Sequence, residues 1–238
     1  MEHDRNLALP RLLKTFALLA VLAGAGCQKE TAAPEPAVAA RDAGPTLYRV
    51  TFEASWSAAT HANFPVGAHF SPLMGASHRA EELLFQPGRL ASTGIQNMAE
   101  RGNNTALRAE IAAWRGDGRA LGLLDGRGST ASPGQLADTV RLDAGHPLLT
   151  VVTMIAPSPD WFVALENENM LGADGQWATL RTVAARTYDA GTDSGPAFTS
   201  PDHPTRPAAP VVLLRLPPAT SNAADGPPLG MWRVERIK

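Results

Sequence analysis

Between Leu47 and Trp56 the chain alternates strictly: Tyr48, Val50, Phe52, Ala54 and Trp56 are apolar, while Arg49, Thr51, Glu53 and Ser55 are polar. A period of two puts one set on a buried face and the other in solvent, so this segment predicts a half-buried β-strand. Leu148–Ala156, Trp161–Leu165, Trp177–Val183 and Val211–Leu216 are rich in β-branched or aromatic residues and are bounded by Pro or Gly, which predicts four more strands. Two segments follow a helical period. One is Thr93–Glu100. The other is Thr105–Trp114, where Leu107, Ile111 and Trp114 recur at spacings of four and three before Gly116 and Gly118 end the run. Strand and helix do not alternate, so a parallel α/β sheet is excluded. The expected class is all-β, an antiparallel β-sandwich with one or two short inserted helices. Past Pro217 the composition turns to Pro, Gly and Ala, and Met231–Ile237 reads as a last strand or a frayed end.

The amino terminus stands apart from this pattern. Arg5, Arg11 and Lys14 precede an uninterrupted apolar and small-residue run from Phe16 to Gly26, the pattern of a bacterial export signal. The run is shorter than the roughly 20 apolar residues needed to span a hydrocarbon core. It ends at Ala25-Gly26-Cys27, and Cys27 is the only cysteine in the chain. This resembles a lipoprotein processing site, in which the thiol receives a diacylglycerol and the freed amine a further acyl chain. Gly24 departs from it, since an aliphatic residue is usual three positions before the cysteine. Residues 1–26 are thus expected to be a lipoprotein signal peptide and Cys27 a lipidation site that makes the membrane a partner. Gln28 in place of Asp favours, by the same resemblance, the outer membrane. Residues 27–46, mostly Ala, Pro and Glu, cannot bury enough apolar surface to offset the entropy of ordering and are expected to be a disordered tether. A sandwich domain over 47–217 and a carboxy-terminal tail over 218–238 complete the organisation.

With 238 residues, 44% of them hydrophobic, the chain can build one sizeable core. Lys plus Arg number 21 against 23 Asp plus Glu, which leaves no basic excess to neutralise a phosphate backbone and argues against nucleic acid as a partner. The sequence contains no Gly-x-Ser-x-Gly elbow, no His-Glu-x-x-His and no P-loop.

Three acidic residues lie in Pro/Gly-rich turns beside strands: Asp160 in Ala156-Pro157-Ser158-Pro159-Asp160-Trp161, and Asp189 and Asp193 in Asp189-Ala190-Gly191-Thr192-Asp193-Ser194-Gly195. Gly191 and Gly195 let the backbone curl, as in calcium loops, although the EF-hand pattern fails because Ser200 stands where its bidentate Glu would be. Three carboxylates about 4.5 Å apart would repel by roughly 4 kcal/mol per pair at an effective dielectric of 20, unless some protonate or a cation sits among them. An all-oxygen set selects a hard ion, and flexible loops with backbone carbonyls favour Ca²⁺ over Mg²⁺; zinc would want His or Cys in the set. Two other readings stay open. Turn aspartates also accept backbone hydrogen bonds for purely structural reasons, and paired carboxylates serve as acid and base in hydrolases. His61, His69 and His78 read as structural histidines, Glu100 as a helix-end residue, and the five tryptophans as packing, with Trp161 adjoining a ligand groove as the exception.

Tyr48-Arg49-Val50-Thr51-Phe52, Trp56, His61, Phe64-Pro65, Gly75-Ala76-Ser77-His78, Ala91-Ser92-Thr93-Gly94-Ile95, Ala99-Glu100-Arg101-Gly102 and the two Asp-bearing turns occur in an order that resembles the spondin amino-terminal domain. The resemblance covers Leu47 to Leu216. It implies a C-two-like antiparallel β-sandwich with one calcium ion held at a loop end by three aspartates, here Asp160, Asp189 and Asp193, and a role in adhesion or in binding an extracellular protein or glycan. Ala164 stands where the family tends to have Gly, and the cysteines of animal relatives are absent. The expected function is a non-enzymatic, lipid-anchored, calcium-binding module at the cell envelope. The alternative is a metal-dependent hydrolase using the same carboxylates.

Overall fold

The computed structural model describes residues 44–219 and 225–238. The signal segment, Cys27 and all but the last three residues of the 27–46 segment lie outside the described residues. In chain order the elements are β1 (Thr46–Ala54), β2 (His69–Phe70), β3 (Met74–His78), α1 (Thr93–Arg101), α2 (Thr105–Gly116), β4 (Ala120–Asp125), β5 (Thr130–Ala131), β6 (Gly134–Leu142), β7 (Leu148–Ala156), β8 (Trp161–Asn169), β9 (Leu180–Ala184), β10 (Arg186–Asp189), β11 (Val212–Leu213) and β12 (Gly230–Arg236). One sheet has the order β6-β1-β12-β9. The other runs β11-β10-β8-β7, and the free edge of β7 is shared by β3 and β2, which lead on to β4 and β5. Every strand pair is antiparallel. The class expected from sequence, an all-β sandwich with two short helices, is what the chain forms.

Tyr48, Val50, Phe52 and Ala54 of β1 all point inward, as their alternation predicts, and meet Leu149, Val151, Ile155, Val163 and Leu165 of the opposite sheet. The second sheet is covered on both sides. The other faces of β7 and β8 (Val152, Met154, Phe162 and Ala164) pack with Ile95, Met98, Leu107 and Ile111 of the two helices. This explains why β7 reads as a continuous apolar run, the mark of a strand with no solvent face. The helices form a third layer rather than a surface insertion.

Local chemistry sets the edges of this arrangement. Ser71-Pro72 interrupts the strand beside β7, and Ser71 maintains the contact across the break: its Oγ accepts from Met154 N at 2.9 Å and its carbonyl accepts from Thr153 Oγ1 at 2.7 Å. Gly75 is required because a Cβ there would lie 2.2 Å from the Thr150 carbonyl oxygen. Helix α1 starts at Ser92, whose hydroxyl accepts from Ile95 N, while Glu110 of α2 receives Ser92 Oγ and Gly94 N, each at 2.7 Å, and ties the two helices together.

Some elements differ from expectation. The predicted strand Trp177–Val183 begins only at Leu180, because Trp177 bridges Leu171 and donates its indole N–H to Gly44 O. Val211–Leu216 shrinks to Val212–Leu213, because Val211 hydrogen-bonds to the segment 88–89 instead. Within 218–238, Gly230–Arg236 is an interior strand flanked by β1 and β9, with Trp232 opposite Phe52.

Candidate metal centre

The end of the sandwich where β7 turns into β8 gathers the predicted aspartates. Ser158 shapes the turn: its hydroxyl donates to Ile155 O at 2.6 Å and accepts from Trp161 N at 3.1 Å. Trp161 then pairs in register with Asp189, so the ladder itself sets Asp160 beside the end of β10. Asp160 is completely buried. Its Oδ2 accepts from Thr192 N at 2.6 Å, Thr192 Oγ1 at 3.2 Å and Asp193 N at 3.0 Å, which fastens the 189–195 loop onto the 157–160 turn. Asp189 Oδ1 accepts from Gly191 N, Asp193 Oδ1 accepts from Gly195 N, and Asp193 Oδ2 accepts from His203 N, each at 2.7 Å.

The electrostatics differ among the three. Burial, reinforced by the nearby Asp189 charge and opposed by the Thr192 and Asp193 donors, pushes the Asp160 carboxyl up to about 6. Burial also raises Asp189, against the Gly191 N–H and the Trp161 indole, and with Asp193 adding repulsion. The Trp161 N–H lies outside hydrogen-bonding geometry and has no other acceptor. For Asp193, burial works against the charged form, but the His203 and Gly195 donors outweigh it and hold the carboxyl below its ordinary value.

Among the described residues, no three His, Cys, Asp or Glu side chains are disposed to hold one metal ion. The oxygens of the three aspartates are largely committed to backbone N–H groups: both of Asp193 to Gly195 N and His203 N, one of Asp189 to Gly191 N, and one of Asp160 to Thr192 N and Asp193 N of the facing loop. In one respect the residues do fit a cation. Asp160 Oδ1 is buried and has no hydrogen-bond partner among the described residues, and an unpaired carboxylate oxygen inside a protein is costly unless it is protonated or meets a positive charge. The fit to calcium therefore rests on Asp160 Oδ1 and Asp189, with Asp193 bracing the loop.

Sequence reasoning missed several participants. Thr192 supplies two of the three donors to Asp160. His203 braces Asp193 from the turn Pro201-Asp202-His203-Pro204, whose composition marks a turn but not its partner. Phe198 packs on Trp161 with centroids 5.0 Å apart and on Trp56 at 4.8 Å, closing the loop over the core. Glu100, Ser158, Asp193 and Asp202 line an adjoining cavity of about 300 Å³. The three histidines are separated, each with its own partner: His61 Nε2 with Pro227 O at 2.8 Å, His69 Nδ1 with Gly67 O at 2.7 Å, and His78 Nε2 with Thr150 Oγ1 at 2.8 Å.

A pH dependence follows from Asp160. Its folded-state value of about 6 exceeds the ordinary 3.8, so between these values the folded protein binds more protons than the unfolded chain, and stability rises as the pH falls. In chelator, the wild type should gain about 2 kcal/mol more than Asp160→Asn between pH 7 and pH 4, a figure reduced for solvent screening. Urea unfolding at both pH values measures this. Parallel behaviour of the two proteins would show that Asp160 is not a strained charge.

The two sheets and their end-loop cluster define a β-sandwich module whose aspartate-bearing loops lie at one end. The chain belongs to the spondin amino-terminal domain family, matching Spondin_N over residues 46–224. It is 33% identical to human Spondin-2 over 168 residues, 67% of this chain and 50% of that protein. It is 31% identical to Xenopus laevis Spondin-1 over 210 residues, 82% of this chain and 25% of the relative, and 31% identical to chicken Spondin-1 over 175 residues, 69% and 21% respectively. The chain thus spans half or less of the length of these relatives. Among the described residues, no helix is long and apolar enough to cross a membrane.

Proposed function

We propose that this chain is an exported, lipid-anchored, calcium-binding β-sandwich that presents its end loops to an extracellular protein or glycan in adhesion or ligand binding, without catalytic turnover. The observation that carries the calcium assignment is the buried, partnerless Asp160 Oδ1 beside the buried Asp189 carboxyl. Calcium would be held by Asp160 and Asp189 on a loop that Asp193 braces through Gly195 N and His203 N, and would supply positive charge to this loop pair. Membership of the spondin family supports the adhesive role. Anchoring through acylated Cys27, on the outer membrane, is supported by the processing-site pattern at Ala25-Gly26-Cys27. The hydrolase alternative is disfavoured because Asp160 is completely buried, out of reach of a substrate, and both oxygens of Asp193 are spent on the Gly195 and His203 N–H groups.

Chelation tests the metal assignment. Removing calcium should lower the melting temperature by several degrees, and Asp189→Asn with Asp193→Asn should abolish that sensitivity. An identical melt with and without chelator would contradict it.

A further inference from the structure

The chain enters the sandwich beside a cationic cleft that the proposed calcium site does not use. Arg115 at the end of α2, Leu121 and Leu123 of β4, Thr139 and Arg141 of β6, and Leu47 of β1 line a cavity of about 430 Å³. It shares Leu47 and Arg141 with a second cavity of about 200 Å³, lined also by Pro45, Thr46 and Lys238. Among the described residues, no acidic side chain lines either one. Arg115 is braced by a hydrogen bond from its Nε to Leu121 O, 3.0 Å, which leaves the rest of its fork outward. Arg141 is exposed and makes no ion pair among the described residues.

On the outer face of the sheet Arg141 lies opposite Leu47, and Arg49 is its diagonal neighbour. Among the described residues nearby, Asp143 pairs with His146 and Glu235 with Arg233, while Asp138, three residues from Arg141 along β6, lies on the opposite face of that strand.

We infer that the Arg115–Arg141 cleft docks the domain onto an anionic lipid surface, each guanidinium taking a headgroup phosphate. Guanidinium forks match phosphate oxygens in geometry as well as charge, and half-buried Leu47, Leu121 and Leu123 give the cleft an apolar floor for the region beneath the headgroup. The position of the cleft supplies the rest of the argument, which rests on the lipid anchor proposed above. Gly44 is seventeen residues beyond Cys27, a separation that no chain conformation can stretch past about 60 Å. Pro45 is itself part of the lining, so the cleft lies where the chain from Cys27 enters the domain, and an acylated Cys27 would hold it near the bilayer at a high effective concentration. The chain as a whole carries a net charge of −2, which opposes general adsorption to an anionic membrane, so binding there would report a local patch.

The test uses the full chain with Cys27→Ser, which cannot be acylated, in sedimentation with vesicles of phosphatidylcholine alone or mixed with phosphatidylglycerol. The apolar segment 16–26 contributes equally to every protein compared, so the reading is a difference. Tighter binding to the anionic vesicles is expected, lost at high salt. Arg115→Gln with Arg141→Gln should weaken it about 25-fold, at roughly fivefold per cation near such a surface, while Arg127→Gln, elsewhere on the surface, should not. An unaltered melting temperature in the double variant separates docking from folding. Equal binding by the double variant would overturn the inference, as would full displacement by inorganic phosphate at constant ionic strength, which would make this a small-anion pocket. Membrane fractionation of cells carrying Cys27→Ser reads the anchor separately: continued association would contradict acylation without deciding the vesicle result.

Discussion

Replacing Trp232 with Ala is expected to destabilise the protein by about 3–5 kcal/mol, a large part of the 5–15 kcal/mol typical of a folded domain. Trp232 is fully buried at the centre of β12, opposite Phe52 on one side and Val183 on the other, with the Phe52 and Trp232 ring centroids 4.8 Å apart. Losing the indole opens a cavity in the inter-sheet core and weakens the strand that joins β1 to β9. Trp232→Phe separates packing from polarity. The indole N–H has no acceptor among the described residues, so Phe removes an unsatisfied donor while keeping most of the ring, and its cost should stay under about 1.5 kcal/mol. Denaturant midpoints for the three proteins decide this. If Trp232→Ala were nearly neutral, the 230–236 segment would not be an interior strand.

The second large effect concerns the loop rather than the core. Gly191 has φ +74, and a Cβ there would lie 2.2 Å from the Ala209 carbonyl oxygen. Gly191→Ala must therefore adopt a left-handed conformation that L-residues disfavour, and also push aside backbone that Ala209 N and Gly191 O bind together at 2.8 Å. A loss of about 3 kcal/mol or more is expected, because a backbone atom cannot yield as a side-chain tip can. The displaced loop would withdraw Thr192 and Asp193 N–H from Asp160, so calcium-dependent stabilisation should disappear along with the stability. An exposed glycine with φ +74 but no neighbour within 4 Å, Gly128, provides the comparison: Gly128→Ala should cost only the conformational strain, about 1 kcal/mol. Equal costs at the two positions would show that the loop tolerates the shift.

What could be read from sequence depended on how strongly each residue's surroundings were written into its neighbours. β1 alternates because one face meets the core and the other meets water. β7 is apolar throughout because sheet and helices cover both faces, and its predicted limits, Leu148 and Ala156, are those observed. Helices α1 and α2 extend only one and two residues beyond expectation, since caps and periodicity are local signals. β3, by contrast, reads Met-Gly-Ala-Ser-His. Its small residues are required by the close approach of β7, a long-range constraint that leaves no local periodicity. β6 was equally hidden, because Asp138 stands at an inward position and Ala137 at an outward one, which breaks its alternation.

At the candidate site, the turns identified Asp160, Asp189 and Asp193 as loop carboxylates, and the ladder between β8 and β10 does bring Asp160 and Asp189 to one end of the sheet. The sequence carried no sign of the direction in which each oxygen points. Asp193 turns both of its oxygens to Gly195 N and His203 N, and Asp160 turns one to the 192–193 backbone. Apart from Gly195 N, two residues from Asp193, those choices are made by backbone amides brought in from ten or more than thirty residues away.

Calcium titration of the full chain by calorimetry at neutral pH tests the central claim most directly. One ion should bind per chain with a dissociation constant of about 10⁻⁴ to 10⁻³ M, the range of extracellular modules. The binding heat should vanish in Asp160→Asn and in Asp189→Asn. Absence of any binding heat, together with a melting temperature unmoved by about 10 mM calcium, which at such affinity should add about 1.4–2.7 kcal/mol, would contradict the account.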